Sequence, residues 1–442
     1  MTAATTQDEY DDAYHRIPGY ASHLDRIRDA RIMVVGVGAL GNEVVKNLVL
    51  FNVGHLFLCD FDTVETANLS HSVLFRPGDE NRKKVDVARD RIREMNPRIQ
   101  VTAFGSPLSE IGLGVWREMD VIVGCLDNRG SRVLIDRYCG RAGKDWIDAG
   151  LSALVQHGGE YRMAGLLKSV VQKFSPSKGI RYENYLQNDE VRAQAENEAR
   201  LSREASPNWE HCSDVRAREE KAGRVPTTPT MASLTGAIQA QEAIRMLSPE
   251  VWGQGGIEGR RLIIRADTFE MQQIVHPAGE PVLPAESVIM DETLSARGTT
   301  LRQMLLRARE DLGSDACVEL GFQYCMAMRC GICGHKAMQP FKLGSQTEFC
   351  PNCTTDALPI RMGPLDDGYF ADTLGGFGEP VPPEEIDDPF WDTTLAKLGV
   401  PLYDVLTASV YSYASGRDEL VAQKHYALAG DAEAALGWTP RS

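Results

Sequence analysis

The stretch Arg31-Ile-Met-Val-Val-Gly-Val-Gly-Ala-Leu-Gly41 decides the fold. Its glycines Gly36, Gly38 and Gly41 follow an apolar run and precede a helical pattern. This is G-x-G-x-x-G in the strand-to-helix setting where backbone N–H groups at a helix N-terminus cradle phosphates. By itself the pattern suggests NAD, so the residues downstream must decide which nucleotide is held and for what chemistry.

Around that stretch, residues 31 to about 165 alternate short apolar runs with helical patterns. RIMVVG, HLFLCD, IQVTAF, DVIVGC and DWIDAG read as strands, with helices around 39–52, 81–96 and 129–142. Such alternation predicts an α/β fold with a Rossmann-like, doubly wound and mostly parallel sheet, its ligand at the carboxyl ends of the strands. TMASLTGAIQAQEAIRML regains an apolar helical stripe at 230–247, and RLIIRADTFEMQQIVH reads as a strand pair closing the domain. Between them, 180–224 is crowded with charge and fits solvated helix and loop, either a mobile cover or a surface insertion.

Composition sets the outer limits. A chain of 442 residues exceeds one compact core, and 43% hydrophobic with 25% charged residues is an ordinary globular balance. A net charge of −15 argues against a nucleic-acid partner, which needs a basic face. No apolar run approaches membrane-spanning length and the N-terminus lacks a secretory layout, so a cytoplasmic protein without membrane association is expected. Four of the ten cysteines form Cys330-x2-Cys333 and Cys350-x2-Cys353, the pattern of a closed zinc ribbon in a smaller C-terminal region.

Asp60 ends the second apolar run about 20 residues beyond the last glycine, where a dinucleotide fold places the acid that hydrogen-bonds a ribose. NAD and ATP share that ribose. The segment Asp60–Arg89, DFDTVETANLSHSVLFRPGDENRKKVDVAR, separates them, because a dehydrogenase does not need this composition at this place. With the loop Gly36–Gly41, Asp60 and Asp62, Asn68-Leu69, Lys84, and Asp127-Asn128 followed by Arg132, the chain resembles the ThiF/MoeB and ubiquitin-activating-enzyme superfamily over about 31–270.

The resemblance implies ATP-dependent adenylation of a ubiquitin-like protein's C-terminal carboxylate. Carboxylate and triphosphate are both anions, so such a site must supply cations and Mg²⁺ to bring them together. Lys84 would hold phosphate as a point charge. The resemblance assigns the ribose to Asp60, phosphate placement to Asn68, and Mg²⁺ to Asp127, with Asp62 and Asn128 in the same motifs. Taken singly, Lys84 would be an exposed lysine at a helix start, and Asp127 would be a helix N-cap. The family's Arg-Gln after N-L-x is His71-Ser72 here, a titratable imidazole in place of a permanent guanidinium, with Arg76 or Arg82 as cations that could take over the contact. Tyr14-His15-Arg16 is similar to the family's Y-x-R, whose arginine reaches a partner subunit's phosphates, and the resemblance implies a homodimer.

In the family a cysteine on the crossover precedes a G-x-x-Q-A-x-E-A helix, matched here by Gly236, Gln239, Ala240, Glu242 and Ala243. Cys212 occupies that crossover, beside Asn208-Trp209-Glu210-His211 and a run with Arg216, Arg218, Lys221 and Arg224, cations that favour its thiolate. A buried hydrophobe is the plainer reading of a cysteine, and it suits Cys59, Cys125 and Cys139.

The domain reading is therefore an N-terminal helical arm over 1–30, an adenylation domain over 31–276 with a crossover at 180–229, a zinc-ribbon-containing region over 277–375 and a small domain or tail over 376–442. The expected function is an activating enzyme that uses ATP and Mg²⁺, binds Zn²⁺ and passes a ubiquitin-like protein through a Cys212 thioester to a conjugating enzyme. The C-terminal extension looks like that of activating enzymes in bacterial ubiquitin-like conjugation operons. The rivals are a sulfur-carrier activator, a non-catalytic scaffold and an NAD dehydrogenase.

Overall fold

The computed structural model describes residues 25–152, 155–157, 160–162, 168–185 and 228–277 almost continuously, and 279–437 with gaps, the largest at 343–351, 354–362, 365–369 and 375–388. The described chain divides into two compact units, one built from residues up to 106 and from 119 to 282, the other from 107–118 and 283 onward.

The first unit is an eight-stranded sheet. Strands β1 (Arg31–Val35), β2 (His55–Cys59), β3 (Gln100–Phe104), β4 (Val121–Gly124) and β5 (Trp146–Ser152) run parallel, β2 and β3 on one side of β1, β4 and β5 on the other. Three antiparallel strands extend the β5 side, β6 (Lys168–Phe174), β7 (Arg260–Arg265) and β8 (Glu270–Val275), giving the order β8-β7-β6-β5-β4-β1-β2-β3. Strand order reverses at β1, and there the doubly wound topology opens its crevice. β1 and β4 are near-continuous apolar runs because helices cover both faces of a parallel sheet.

Helices α1 (Ala39–Leu50), α2 (Lys84–Met95), α3 (Arg129–Ala142) and α4 (Pro229–Leu247) supply that cover. α1 starts at Gly38, and α3 starts at Asn128, whose side chain accepts from the Ser131 N–H at 2.8 Å. α3 ends on Gly143 at φ +69°, the left-handed C-terminal cap that favours glycine. α4 is set by Thr228, which accepts from the Met231 N–H, and by Pro229 at its first position.

The family-matching residues of α4 have structural reasons. A Cβ on Gly236 would lie 2.7 Å from Cβ of Glu43, so α1 and α4 can approach this closely at that point only with a glycine there. Gln239, fully buried, donates from Nε2 to the Gly124 carbonyl at 2.8 Å. Glu242 accepts from Arg245 Nε at 3.1 Å, while Ala240 and Ala243 lie in the core.

The second unit has its own core, around Leu301, Met304, Leu305, Val318, Leu395, Leu398, Leu406 and Tyr426. Its sheet pairs β9 (Ile289–Asp291), β10 (Cys317–Cys325), β11 (Phe370–Leu374), β12 (Val405–Ala414) and β13 (Arg417–Leu428), with β12 and β13 forming a long antiparallel hairpin. The segment 107–118, which connects β3 to β4 in sequence, packs in this unit: Leu113 N–H donates to Asp404 Oδ1 at 2.8 Å and Gly114 N–H to the Tyr403 carbonyl at 2.9 Å. No helix among the described residues is long and apolar enough to cross a membrane.

Candidate active site

The crevice at β1 is lined by the glycine turn, the ends of β2 and β4, and the first turns of α1 and α2. Gly36 sits at φ +90°, and a Cβ there would meet the Cys125 carbonyl at 2.6 Å; a Cβ on Gly41 would stand 2.0 Å from the Gly36 carbonyl. These two glycines are needed by the protein's own backbone. Gly38 differs: a Cβ would meet nothing within 4 Å, so the space above this position is open where α1 presents its first N–H groups. That opening is what a phosphate group requires.

Asp60 is braced from both sides. Oδ2 accepts the Val37 N–H of the glycine turn at 2.7 Å and Oδ1 accepts the Asp62 N–H at 2.9 Å, using two of roughly four lone-pair positions on the carboxylate. Burial pushes its carboxyl up, Lys84 pulls it back, and the net direction is upward. Asp62 carries the ion pair of the site, with Lys84 Nζ at 2.7 Å from Oδ2. Burial works against the Lys84 ammonium, but Asp60, Asp62 and then Asp127 outweigh it and raise its pKa. Lys84 is therefore a fixed cation among carboxylates, not the exposed lysine of an ordinary helix start.

Asp127 is exposed, and the cap of α3 is made by its neighbour Asn128. The capping role foreseen as an alternative for Asp127 thus falls to Asn128, and Asp127 is left facing the Lys84 charge. Arg132, also in the motif, is inside: Nε pairs with Asp148 Oδ1 at 2.9 Å, and Gln172 donates to the other oxygen of Asp148 at 2.9 Å. Asn68 folds back to accept the Glu65 N–H at 2.9 Å. His71 is half-buried with Nδ1 3.0 Å from Ser70 Oγ; burial first, and the Lys84 charge second, lower its pKa. Its proposed substitutes point elsewhere. Arg82 pairs with Asp79 and Asp90, Arg76 with Glu94, and buried Asp79 also takes Arg91 at 3.0 Å.

One residue escaped the sequence reading. Asn42 is fully buried, with Nδ2 donating to the carbonyls of Val37 at 2.8 Å and Gly38 at 2.9 Å, and Oδ1 accepting the Leu74 N–H at 2.9 Å. A polar residue at an apolar helical position beside a glycine turn was the available signal.

Of the predicted cysteines, Cys59, Cys125 and Cys139 are buried, and burial raises each thiol. That is the opposite of an activated thiolate. Cys212 and Arg16 lie outside the described residues, as do Cys330 and Cys350, while Cys333 is exposed and Cys353 partly so. Among the described residues no group of His, Cys, Asp and Glu is arranged to hold a metal ion.

The sequence profile described as the ThiF family matches residues 14–280, more than half of the chain. The chain belongs to the ThiF family. The likeness to ubiquitin-like modifier-activating enzyme 5 of Dictyostelium discoideum is 29% identity over 147 residues, 30% of this chain and 38% of that protein. With SUMO-activating enzyme subunit 2 of the same organism it is 30% over 131 residues, 29% of this chain and 20% of the other. The chain therefore spans well under two thirds of the curated relatives it matches. Among solved structures, Escherichia coli MccB with AMPCPP and MccA overlaps at a TM-score of 0.46 and 18% identity, covering 63% of this chain and 73% of that one. The microcin C7 biosynthetic enzyme MccB with N-formylated MccA overlaps at 0.44 and 16%, covering 63% and 82%. The ThiF match spans the glycine turn, Asp60, Lys84 and Asp127, and thus the whole described crevice.

Proposed function

We propose that the chain adenylates the C-terminal carboxylate of a small protein or peptide. A carboxylate oxygen attacks the α-phosphorus of ATP, an acyl–O–P bond forms, and pyrophosphate leaves. The observation that carries this reading is the lysine paired with Asp62 at 2.7 Å, in the field of Asp60 and Asp127, beside a glycine turn whose Gly38 faces open space. The turn would hold the phosphates, Asp60 the ribose through its remaining lone pairs, and Lys84 the charge that gathers where the bond to pyrophosphate breaks. Asp127, not consumed as a helix cap, suits Mg²⁺, which would screen the two anions from each other. Burial and the Lys84 charge lower the pKa of His71, which in any case carries no permanent charge, so the permanent positive charge beside Asp60 and Asp62 rests on Lys84.

The further course belongs to the same proposal. A sulfur-carrier activator stops at the acyl-adenylate and hands it to a sulfur donor, without a thioester relay to a second enzyme. A ubiquitin-like activating enzyme goes on: the Cys212 thiolate attacks the acyl carbon, AMP leaves, and the thioester passes to a conjugating enzyme. Supporting the second course are the burial of the alternative cysteines Cys59, Cys125 and Cys139 and the cations that flank Cys212 in sequence. We include in it a homodimer in which Arg16 serves the other protomer, and a Zn²⁺ on Cys330, Cys333, Cys350 and Cys353, both drawn from motif and spacing.

The test is ATP–pyrophosphate exchange with candidate ubiquitin-like proteins and peptides ending in a free carboxylate. Exchange that depends on the carboxylate is expected, and none at all would leave a scaffold or a dehydrogenase. A non-reducing gel then separates the two courses: a thiol-sensitive adduct lost in Cys212→Ala supports the relay, and exchange without an adduct supports the sulfur-carrier course.

A further inference from the structure

We propose that Asn42 is a positioning residue that locks the phosphate-binding turn to the His71–Phe75 turn, so that both meet the nucleotide as one unit; this rests on the nucleotide reading above. The carboxamide is buried on the inner face of α1 and ties two segments about 35 residues apart in sequence, on the scale of a whole βαβ unit. On one side it donates to the carbonyls of Val37 and Gly38, which lie between the backbone-constrained Gly36 and Gly41, and Gly38 is the open position. On the other it accepts from Leu74, whose side chain and that of Phe75 are anchored in the core. The tie extends further, because the Val37 N–H holds Asp60 and Asp60 neighbours the Asp62–Lys84 pair.

The bonding pattern demands an amide. Two donors and one acceptor must leave the same short side chain in opposite directions; Asp has no donor when ionised, Ser has one, and Ala has none. The turn it fixes also has unused polarity. Ser72 is buried, its Oγ has no hydrogen-bond partner among the described residues, and it adjoins His71, which senses the Lys84 charge. A buried hydroxyl without a partner is costly unless something supplies one. As it stands Ser72 Oγ is closed to solvent, so a phosphate would reach it only with a shift of the turn, and the spacing of the two turns is set by Asn42.

The experiment is titration of the full chain with Mg-ATP by calorimetry, for the wild type, Asn42→Ala, His71→Ala and the double variant, with Leu48→Ala as control. Leu48 is buried on the same helix and has no part in the site. Asn42→Ala is expected to weaken ATP about tenfold, the scale of one lost buried hydrogen-bond network. Leu48→Ala should lower the Tm while leaving the Kd unchanged, and His71→Ala should cost less affinity in the Asn42→Ala background than alone. Unchanged affinity in Asn42→Ala, or full additivity with His71→Ala, overturns the inference. An absence of ATP binding by the wild type overturns the nucleotide reading and the inference with it. Should Asn42→Ala not fold, amide exchange in the wild type decides. ATP must slow the Leu74 and Gly38 amides together, and a Leu74 amide indifferent to ATP overturns the lock.

Discussion

The two halves of the large sheet follow different rules. In the parallel half, β1, β2 and β4 are buried almost throughout, and the described candidates for holding the nucleotide lie at or beyond their carboxyl ends. In the antiparallel half, burial declines strand by strand through β6 and β7 until all six residues of β8 are exposed, with Met271 and Val275 among them. A parallel strand must return through a crossover, so its carboxyl end opens into a loop held by helices on both faces. An antiparallel edge strand turns back at once and builds no such cradle. The proposed site therefore sits where the backbone is most constrained.

The comparison breaks most visibly at Lys84. Removing the charge in Lys84→Met should lower carboxylate-dependent pyrophosphate exchange roughly 10²- to 10³-fold, the scale for losing one preorganised electrostatic stabiliser, with the far-ultraviolet circular dichroism retained. An exchange rate within threefold of wild type would place the phosphate contact elsewhere.

Core truncation sharpens the contrast between the halves. Ile122→Ala, in the middle of β4, should destabilise the chain by about 2–5 kcal/mol. Met271→Lys on β8 should stay within about 0.5 kcal/mol. Urea unfolding followed by tryptophan fluorescence separates the two, and equal losses would show that the edge strand is covered in solution.

The glycine turn separates structure from function at the scale of a single residue. Gly41→Ala drives a methyl into the Gly36 carbonyl and should lose about 3 kcal/mol of stability. Gly38→Ala puts its methyl into open space, so stability should stay within about 0.5 kcal/mol while ATP affinity falls. Similar melting temperatures for the two variants would contradict the described turn.

Most of this half was legible in the sequence. The five apolar runs became β1 to β5, and helices expected around 39–52, 81–96 and 129–142 run from 39 to 50, 84 to 95 and 129 to 142. Local periodicity and glycine chemistry decide such elements, so one window suffices. The first turn of the 81–96 pattern is not helical because Val64 and Lys84 bond across to Arg82 and Asp62, an arrangement known only once distant residues meet. For the same reason the sequence could not say that Asn128 would cap α3 and release Asp127, that Arg76 and Arg82 would be drawn into the Asp79 cluster, or that Asn42 would face inward. The segment 107–118 lies within the expected adenylation stretch, yet its glycines Gly112 and Gly114 pack on Leu402 and Tyr403, about 290 residues on, a pairing no local pattern encodes.

The smallest effect tests whether the two halves unfold together. Each holds one buried histidine: His55 in β2, within 3.1 Å of Thr102 Oγ1, and His276 just after β8, its ring 5.1 Å from that of Phe174. Burial lowers both to about 4, with the Arg31 charge adding to the effect at His55. An unfolded imidazole titrates near pH 6.5. Between about 6.5 and 4 the unfolded chain therefore binds more protons than the folded one, and stability that is complete above pH 6.5 declines as the pH falls toward 4. His55→Gln and His276→Gln should each flatten that decline, measured as the urea midpoint at pH 7.5 against pH 4.5. If the two halves unfold as one, both substitutions flatten the same global transition. If the edge opens first, His276 gains its proton in that partly open form; only His55→Gln then changes the global midpoint, and the His276→Gln effect appears in amide exchange of β7 and β8 alone.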